Sequence, residues 1–313
     1  MQTKTLKSDL LLLVAAFIWG TTFVAQREAM LYVGPLAYNA IRFALGAVTL
    51  LPLIFLLPVG RDPGSPNAGK RLLVYGGVLI GLSLFGGASM QQMGLVYTTA
   101  GKASFVTSLY VVLVPIAGLF IGQRCGLSVW IGAVLGVTGL YLLTVQESLR
   151  MGQGDLLVLV GALFWTAHVQ LIGYFAQRAN PFRLACLQFV TCSALSLVAA
   201  LLFEQITWPG VRAAAFPILY GGILSAGVAF TLQIICQRTS PPAHAAIVMS
   251  LEAVFGALAG WALLDEHLTL RDLLGCGLMF AGLLVVQLPP LLRSPATPES
   301  GPETNSSPTS HGS

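Results

Sequence analysis

Glu252 is the side chain whose type and position could do the most chemistry. It lies inside the apolar run AAIVMSLEAVFGALAGWALL, from Ala245 to Leu264. Inserting an acidic residue at the centre of such a helix costs about 2.5–3.5 kcal/mol, so it needs a partner, a cavity or a proton. Three roles are open to it: counter-ion for a substrate amine, carboxylate for a coupling proton, or protonated tie between helices. Trp19, Thr22 and Gln26 stand at i, i+3 and i+7, on one helix face. Trp165 and His168 make a similar i, i+3 pair. Aromatic faces can hold a cation or an apolar group, and hydroxyls and amides can orient it. Plain tryptophan packing with interhelical hydrogen bonds accounts for the same pattern. His168 can act as a hydrogen-bonding residue or as a proton carrier.

Further polar residues sit in apolar runs. Gln91 and Gln92 in one run and Gln233 and Gln237 in another are candidates for lining a cavity, or for bonding helices together. Tyr110 adds an aromatic wall. Arg42 lies about eight residues into its run. From that depth a guanidinium can snorkel to the interface, which favours a structural charge over pairing with a substrate carboxylate. Lys102 opens its run and reads as an interface anchor.

Enzyme chemistry is not expected. The sequence has no HExxH, no GxSxG and no phosphate-cradling GxxxxGK[ST]. His244 and His267 have no companions at metal-ligand spacing. The five cysteines are irregularly spaced, mostly within apolar runs and without a CxxC, so they read as small packing residues. No catalytic residue, metal or cofactor is assigned.

The elements that must position these residues follow from composition. The 313-residue chain is 56% hydrophobic and 9% charged, with mean hydropathy +0.81. Soluble domains carry about 25% charged residues, so the solvent here is lipid. A net charge of +4 spread over loops does not suggest nucleic acid. A crossing helix needs about 20 mostly apolar residues. Ten segments fit, at about 8–27, 34–57, 72–93, 103–122, 127–145, 155–175, 183–203, 214–236, 243–264 and 270–289. They are too long, and too uniformly apolar, for barrel strands. The apolar run after MQTKTLK is too long for a signal peptide and reads as a retained first span.

With the N-terminus inside, ten basic residues fall on the cytoplasmic side and five on the other. Both termini are therefore expected in the cytoplasm, residues 1–7 among them. Residues 294–313, rich in Pro, Ser, Thr, Gly and Glu, are expected to be a disordered cytoplasmic tail. On that side the sequon at Asn305 carries no meaning.

The chain is also written twice. DLLLLVAAFIWGTTFVAQ from Asp9 is echoed by DLLVLVGALFWTAHVQLI from Asp155, 146 residues on. Tyr75-Gly76-Gly77 matches Tyr220-Gly221-Gly222, Ser108-Leu109 matches Ser250-Leu251, and Gly139 matches Gly282, all in order. Residues 8–145 and 155–289 thus form two five-helix repeats. An odd span number inverts the second repeat relative to the first, with a candidate site between them near the midplane. The expected fold is all-α, with ten transmembrane helices in two inverted repeats. GxxxG pairs such as Gly132–Gly136 fit close packing within the protomer better than a dimer seam, leaving monomer or homodimer open.

These residues resemble the EamA-type members of the drug/metabolite transporter superfamily. Trp19-Gly20-Thr21-Thr22-Phe23 is similar to the tryptophan-glycine signature of the family's first helix, and Arg42-Phe43 to its arginine-aromatic pair. GKASFVTSLYVVLVP, from Gly101 to Pro115, resembles the fourth helix, and SLEAVFGALAGWALLDE, from Ser250 to Glu266, the ninth. There are departures: Ala253 stands where proline often follows the in-span glutamate, Gln123-Arg124 replaces a terminal glutamate, and Thr166 replaces the glycine after Trp165. The resemblance covers about 8–290. It implies secondary transport of a small molecule such as an amino acid, amine or drug-like compound, frequently as export through the cytoplasmic membrane, with a proton as candidate coupling ion. A membrane sensor or membrane enzyme without transport activity is the competing class, and it lacks an added domain or a polar catalytic cluster.

Overall fold

The computed structural model describes residues 2–56, 66–144, 152–264 and 268–292. Residues 293–313, and so the expected tail, lie outside them, as does residue 1 of the N-terminal segment. Helix α1 covers Gln2–Ala29, α2 Pro35–Leu56 and α3 Pro66–Leu95. The fourth span is divided into α4, Ala100–Ser108, and α5, Tyr110–Phe120. Helix α6 is Leu127–Thr144, α7 Gln153–Phe175 and α8 Pro181–Phe203. A short α9, Trp208–Ala213, leads to the eighth span, which is composite: α10 (Ala215–Leu219), a π-helix over Tyr220–Phe230, and α11 (Thr231–Cys236). The ninth span is divided into α12, Pro242–Met249, and α13, Glu252–Leu264. Helix α14, Leu270–Leu292, closes the chain.

Among the described residues there is no strand, and nine helical stretches are long and apolar enough to cross a membrane. The remaining expected span is the shorter apolar helix Leu127–Leu143. The all-helical expectation is borne out. The spans expected at 103–122, 214–236 and 243–264 are each interrupted, and a residue at each interruption, Tyr110, Phe230 and Glu252, lines the site described below.

Polarity is reversed relative to a water-soluble protein. Phe55, Phe120 and Phe203 are 80% or more exposed, whereas Asn39, Gln92, His168 and Gln188 are fully buried. Apolar rings outside and amides inside suit a chain solvated by hydrocarbon, where polar groups must find partners within the bundle.

The helices pair in a pattern that is unchanged when the repeats are exchanged. Helix α2 packs on its equivalent α8, and α6 on its equivalent α14. Helix α3 packs on α7, as the π segment and α11 pack on α1. The α4–α5 span packs on α7, as α12–α13 packs on α1. The α6–α14 contact has the same symmetry in its small residues. A Cβ on Gly139 would lie 2.4 Å from Gly275 O, and one on Gly132 would lie 3.0 Å from Gly282 O. Each crossing needs a residue without a side chain for the backbones to meet.

Local caps fix where helices begin. Asn180 Oδ1 accepts from Phe182 N and Arg183 N ahead of Pro181 in α8. Asp155 Oδ2 accepts from Gly152 N at the head of α7, and its Oδ1 from Thr98 Oγ1.

Candidate functional site

The two broken spans meet at repeat-equivalent residues. Ser108-Leu109-Tyr110 corresponds to Ser250-Leu251-Glu252. Helix α4 ends at Ser108 and α12 at Met249, so each span breaks at this tripeptide. At the second break Ser250 Oγ donates to Ile247 O at 2.8 Å, a back-bond that commonly bends a helix. The residues that restart the helices are Tyr110 and Glu252. Glu252 is 4% exposed, and its Oε1 accepts from Tyr110 Oη at 3.3 Å and from Ser108 Oγ at 3.2 Å. A carboxyl group inside a span needs such partners within the bundle, whether it carries a proton or not.

Glu252 opens onto a cavity with about 510 Å³ of empty space, its mouth included. Trp19, Gln26, Tyr110, Trp165, His168 and Glu252 line it, together with Phe23, Arg42, Gln91, Thr107, Val169, Ser225, Phe230, Gln233 and Met249. Trp165 Nε1 donates to Gln91 Oε1 at 2.9 Å, and Gln91 Nε2 donates to Gln26 Oε1 at 3.3 Å. Helices α1, α3 and α7 are thereby joined along one wall. His168 Nε2 pairs with Gln188 Oε1 at 3.0 Å. Its ring stands edge-on to Trp165 and to Phe230, at 5.6 and 5.7 Å.

Three of the nine residues predicted for the cavity do not line it. Thr22 is fully buried, and its hydroxyl donates back to Ile18 O. Gln92 Nε2 donates to Gln26 O at 3.2 Å, and Gln237 Nε2 to Val169 O at 3.0 Å. These two glutamines are repeat-equivalent, and each ties the third span of its repeat to the first. Gln233, one turn from Gln237 and bonded to it at 3.1 Å, is the one that reaches the cavity. Lys102 is half-buried in the first turn of α4 and outside the cavity. Its backbone N–H donates to the Thr99 cap.

Arg42 is a correction. It does not snorkel: it is 3% exposed and lines the cavity, its guanidinium 4.6 Å from the centre of Phe43 and 5.1 Å from that of Tyr38. A cation over two rings is held without a carboxylate, and Nε has no protein partner. Depth along a span was a poor guide because burial is decided by which face of α2 meets α8. The sequence does not single out Phe230, whose ring lies within about 6 Å of the cavity rings of Trp19, Trp165 and His168. A clue was present, since the register that pairs the Tyr-Gly-Gly motifs also pairs Phe230 with Phe85.

Several lining side chains carry a buried polar atom with no protein partner: Trp19 Nε1, Arg42 Nε, His168 Nδ1 and Gln233 Oε1. Leaving such atoms dry costs about 1–3 kcal/mol each, so each calls for a partner that the protein does not supply. No group of three or more His, Cys, Asp or Glu among the described residues could hold a metal ion.

A family model described as the EamA-like transporter family matches residues 6–145 and again 152–288. An uncharacterized transporter of Archaeoglobus fulgidus is 31% identical over 289 residues, covering 91% of this chain and 87% of its own. The uncharacterized transporter YoaV of Bacillus subtilis is 23% identical, covering 86% and 92%. A crystal structure of a protein with 21% identity shares the fold, at a TM-score of 0.74 over 92% of this chain and 99% of the other.

Proposed function

Since the chain belongs to the EamA-like transporter family, we propose that it is a secondary transporter that exports a small amphoteric metabolite, an amino acid or related amine, across the cytoplasmic membrane. The observation that carries this reading is the pairing of one carboxylate, Glu252, and one guanidinium, Arg42, in the lining of a single aromatic-walled cavity. A zwitterion gives each charge a partner, and the faces of Trp19, Trp165 and Phe230 receive its apolar part. Ligands with a single charge leave one buried ion unmatched, which lowers their affinity.

Transport proceeds by alternating access. The repeats are read as inverted because each has five spans, and the exchange-symmetric helix pairing supports that reading. The cavity then lies on the pseudo-two-fold axis, with Tyr110 and Glu252 meeting across it. Rocking one repeat against the other exposes the cavity to each side in turn. Glu252 also serves as the proton-coupling group, holding either a proton or the substrate ammonium. Both termini lie in the cytoplasm, on the side richer in basic residues.

The test begins with purified protein and a panel of amino acids, amines and single-charge analogues. A binder should raise the melting temperature by mass action. It should then drive saturable flux and counterflow in proteoliposomes. Ligands that bind without flux, or flux that never saturates, would contradict the reading.

A further inference from the structure

Four rings form a cup whose members are repeat-equivalent in pairs: Trp19 and Trp165 line the cavity, and Phe43 and Phe189 are fully buried. Trp19 and Trp165 are 146 residues apart, and so are Phe43 and Phe189. Exchange of the repeats therefore maps the cup onto itself. One more ring fills it. The Phe230 centroid lies 4.8 Å from Trp19, 5.8 Å from Trp165, 6.1 Å from Phe43 and 6.2 Å from Phe189. The repeat-equivalent of Phe230 is Phe85. Phe85 makes none of these ring contacts among the described residues: it packs against Leu36, Ala37 and Ala200 and against the edge of the buried cluster that holds Phe43, Phe189 and Phe230. A symmetric cup thus has two equivalent claimants and holds one.

The backbone differs at the same place. Phe230 ends the π-helix that starts at Tyr220, while the equivalent stretch from Tyr75 to Phe85 is α-helical throughout. Both stretches are Tyr-Gly-Gly at one end and Phe at the other, with the same number of residues between. No inserted residue forces the wide winding. The chain length permits either winding in either repeat, and a change of winding turns Phe230 relative to Tyr220, whose hydroxyl is bonded to Thr21. π-helical segments are rare and concentrate at functional sites.

We propose that Phe230 and Phe85 occupy the cup in turn during transport. Phe230 fills it in the state described here, with 220–230 wound wide. Phe85 fills it in the opposite-facing state, with 75–85 wound wide and 220–230 as α-helix. Phe85, which lies outside the cavity here, is then a positioning residue for transport. The inference rests on the alternating-access reading above and adds the exchange to it.

Spin-label distances test it in full-length protein whose five native cysteines have been replaced. One pair sits at positions 7 and 238, beside the first span and the end of the eighth, and the other at 153 and 96, beside the sixth span and the end of the third; all four residues are exposed. With substrate present, each pair should show two distance populations that change in opposite senses. Phe230→Ala should shift the population ratio about tenfold one way and Phe85→Ala about tenfold the other, the size expected from losing one or two ring pairs. The double variant should return near the starting ratio. Phe230→Leu and Phe85→Leu should give the same signs with smaller shifts, and they serve where the alanine variants do not fold. Two populations in the unmodified protein with no shift in either variant, or shifts of the same sign, overturn the exchange alone. A single population at both ends overturns alternating access, and the exchange with it.

Discussion

The first repeat supplies Tyr110 where the second supplies Glu252, and the second supplies Gln188 where the first supplies Arg42. Around those positions the repeats agree closely. Trp19 answers Trp165, Phe43 answers Phe189, Gln92 answers Gln237, and the helix contacts survive exchange of the halves. Packing is therefore two-fold while charge is not. Under the proposed mechanism a symmetric frame would let the repeats trade conformations, and a single carboxylate and a single guanidinium would give the proposed zwitterion one orientation within it.

The largest effect that could break this comparison is at Glu252. Glu252→Gln keeps the shape and removes the charge, so initial transport rates in proteoliposomes should fall about 100-fold, the scale of an unmatched buried ion. Tyr110→Phe removes one of two donors to the same oxygen. It should leave transport within about threefold, in keeping with the small net contribution of one hydrogen bond. Equal losses in the two variants would mean that the helix breaks, and not the carboxylate, carry transport.

At the other asymmetric position, Arg42→Gln makes the repeats alike and should weaken binding of a zwitterion by about 10- to 100-fold, with less effect on a simple amine. Titration calorimetry reads both affinities. The converse, Gln188→Arg, buries a second guanidinium beside His168 and should lower the melting temperature without improving binding.

The symmetric frame makes a sharper distinction at its glycines. A methyl on Gly139 meets Gly275 O, which is backbone, at 2.4 Å. One on Gly132 meets a side-chain methyl of Val286 first, at 2.4 Å, and backbone, Gly282 O, only at 3.0 Å. Gly139→Ala should cost about 1–3 kcal/mol of stability as overpacking does, and Gly132→Ala less. Thermal denaturation in detergent orders the two.

The smallest effect separates the two tryptophans. The Trp165 indole donates to Gln91, while Trp19 Nε1 has no protein partner. Trp165→Phe should cost about 1 kcal/mol of stability as one buried bond is lost. Trp19→Phe should leave stability nearly unchanged and act on ligand affinity instead.

The frame was legible in the sequence because both of its causes are local. Runs of about 20 apolar residues dictate helices in lipid, and the duplication from Asp9 to Asp155 announced the two repeats. Glu252, Trp19, Trp165 and His168 were legible for the same reason: a polar or amphipathic group in hydrocarbon needs a partner. What could not be read was which way side chains face. Gln92 and Gln237 look like cavity residues, yet each spends its amide on a neighbouring backbone carbonyl. Arg42 looks like an interface charge by depth, yet α2 turns it inward against Phe43. The breaks at Leu109 and Ser250, and the π winding from Tyr220, leave no mark in hydropathy.

The central claim is that one carboxylate, set in a symmetric cavity, carries transport. Counterflow of a labelled substrate in proteoliposomes tests it most directly, because exchange at equilibrium isolates the carrier from any driving force. It should be run from about pH 5 to about pH 9, where a side-chain proton carrier can act. Exchange should depend on pH in the unmodified protein, and in Glu252→Gln a residual exchange should remain that no longer responds to pH. Counterflow of the same rate and pH profile in both proteins would contradict it.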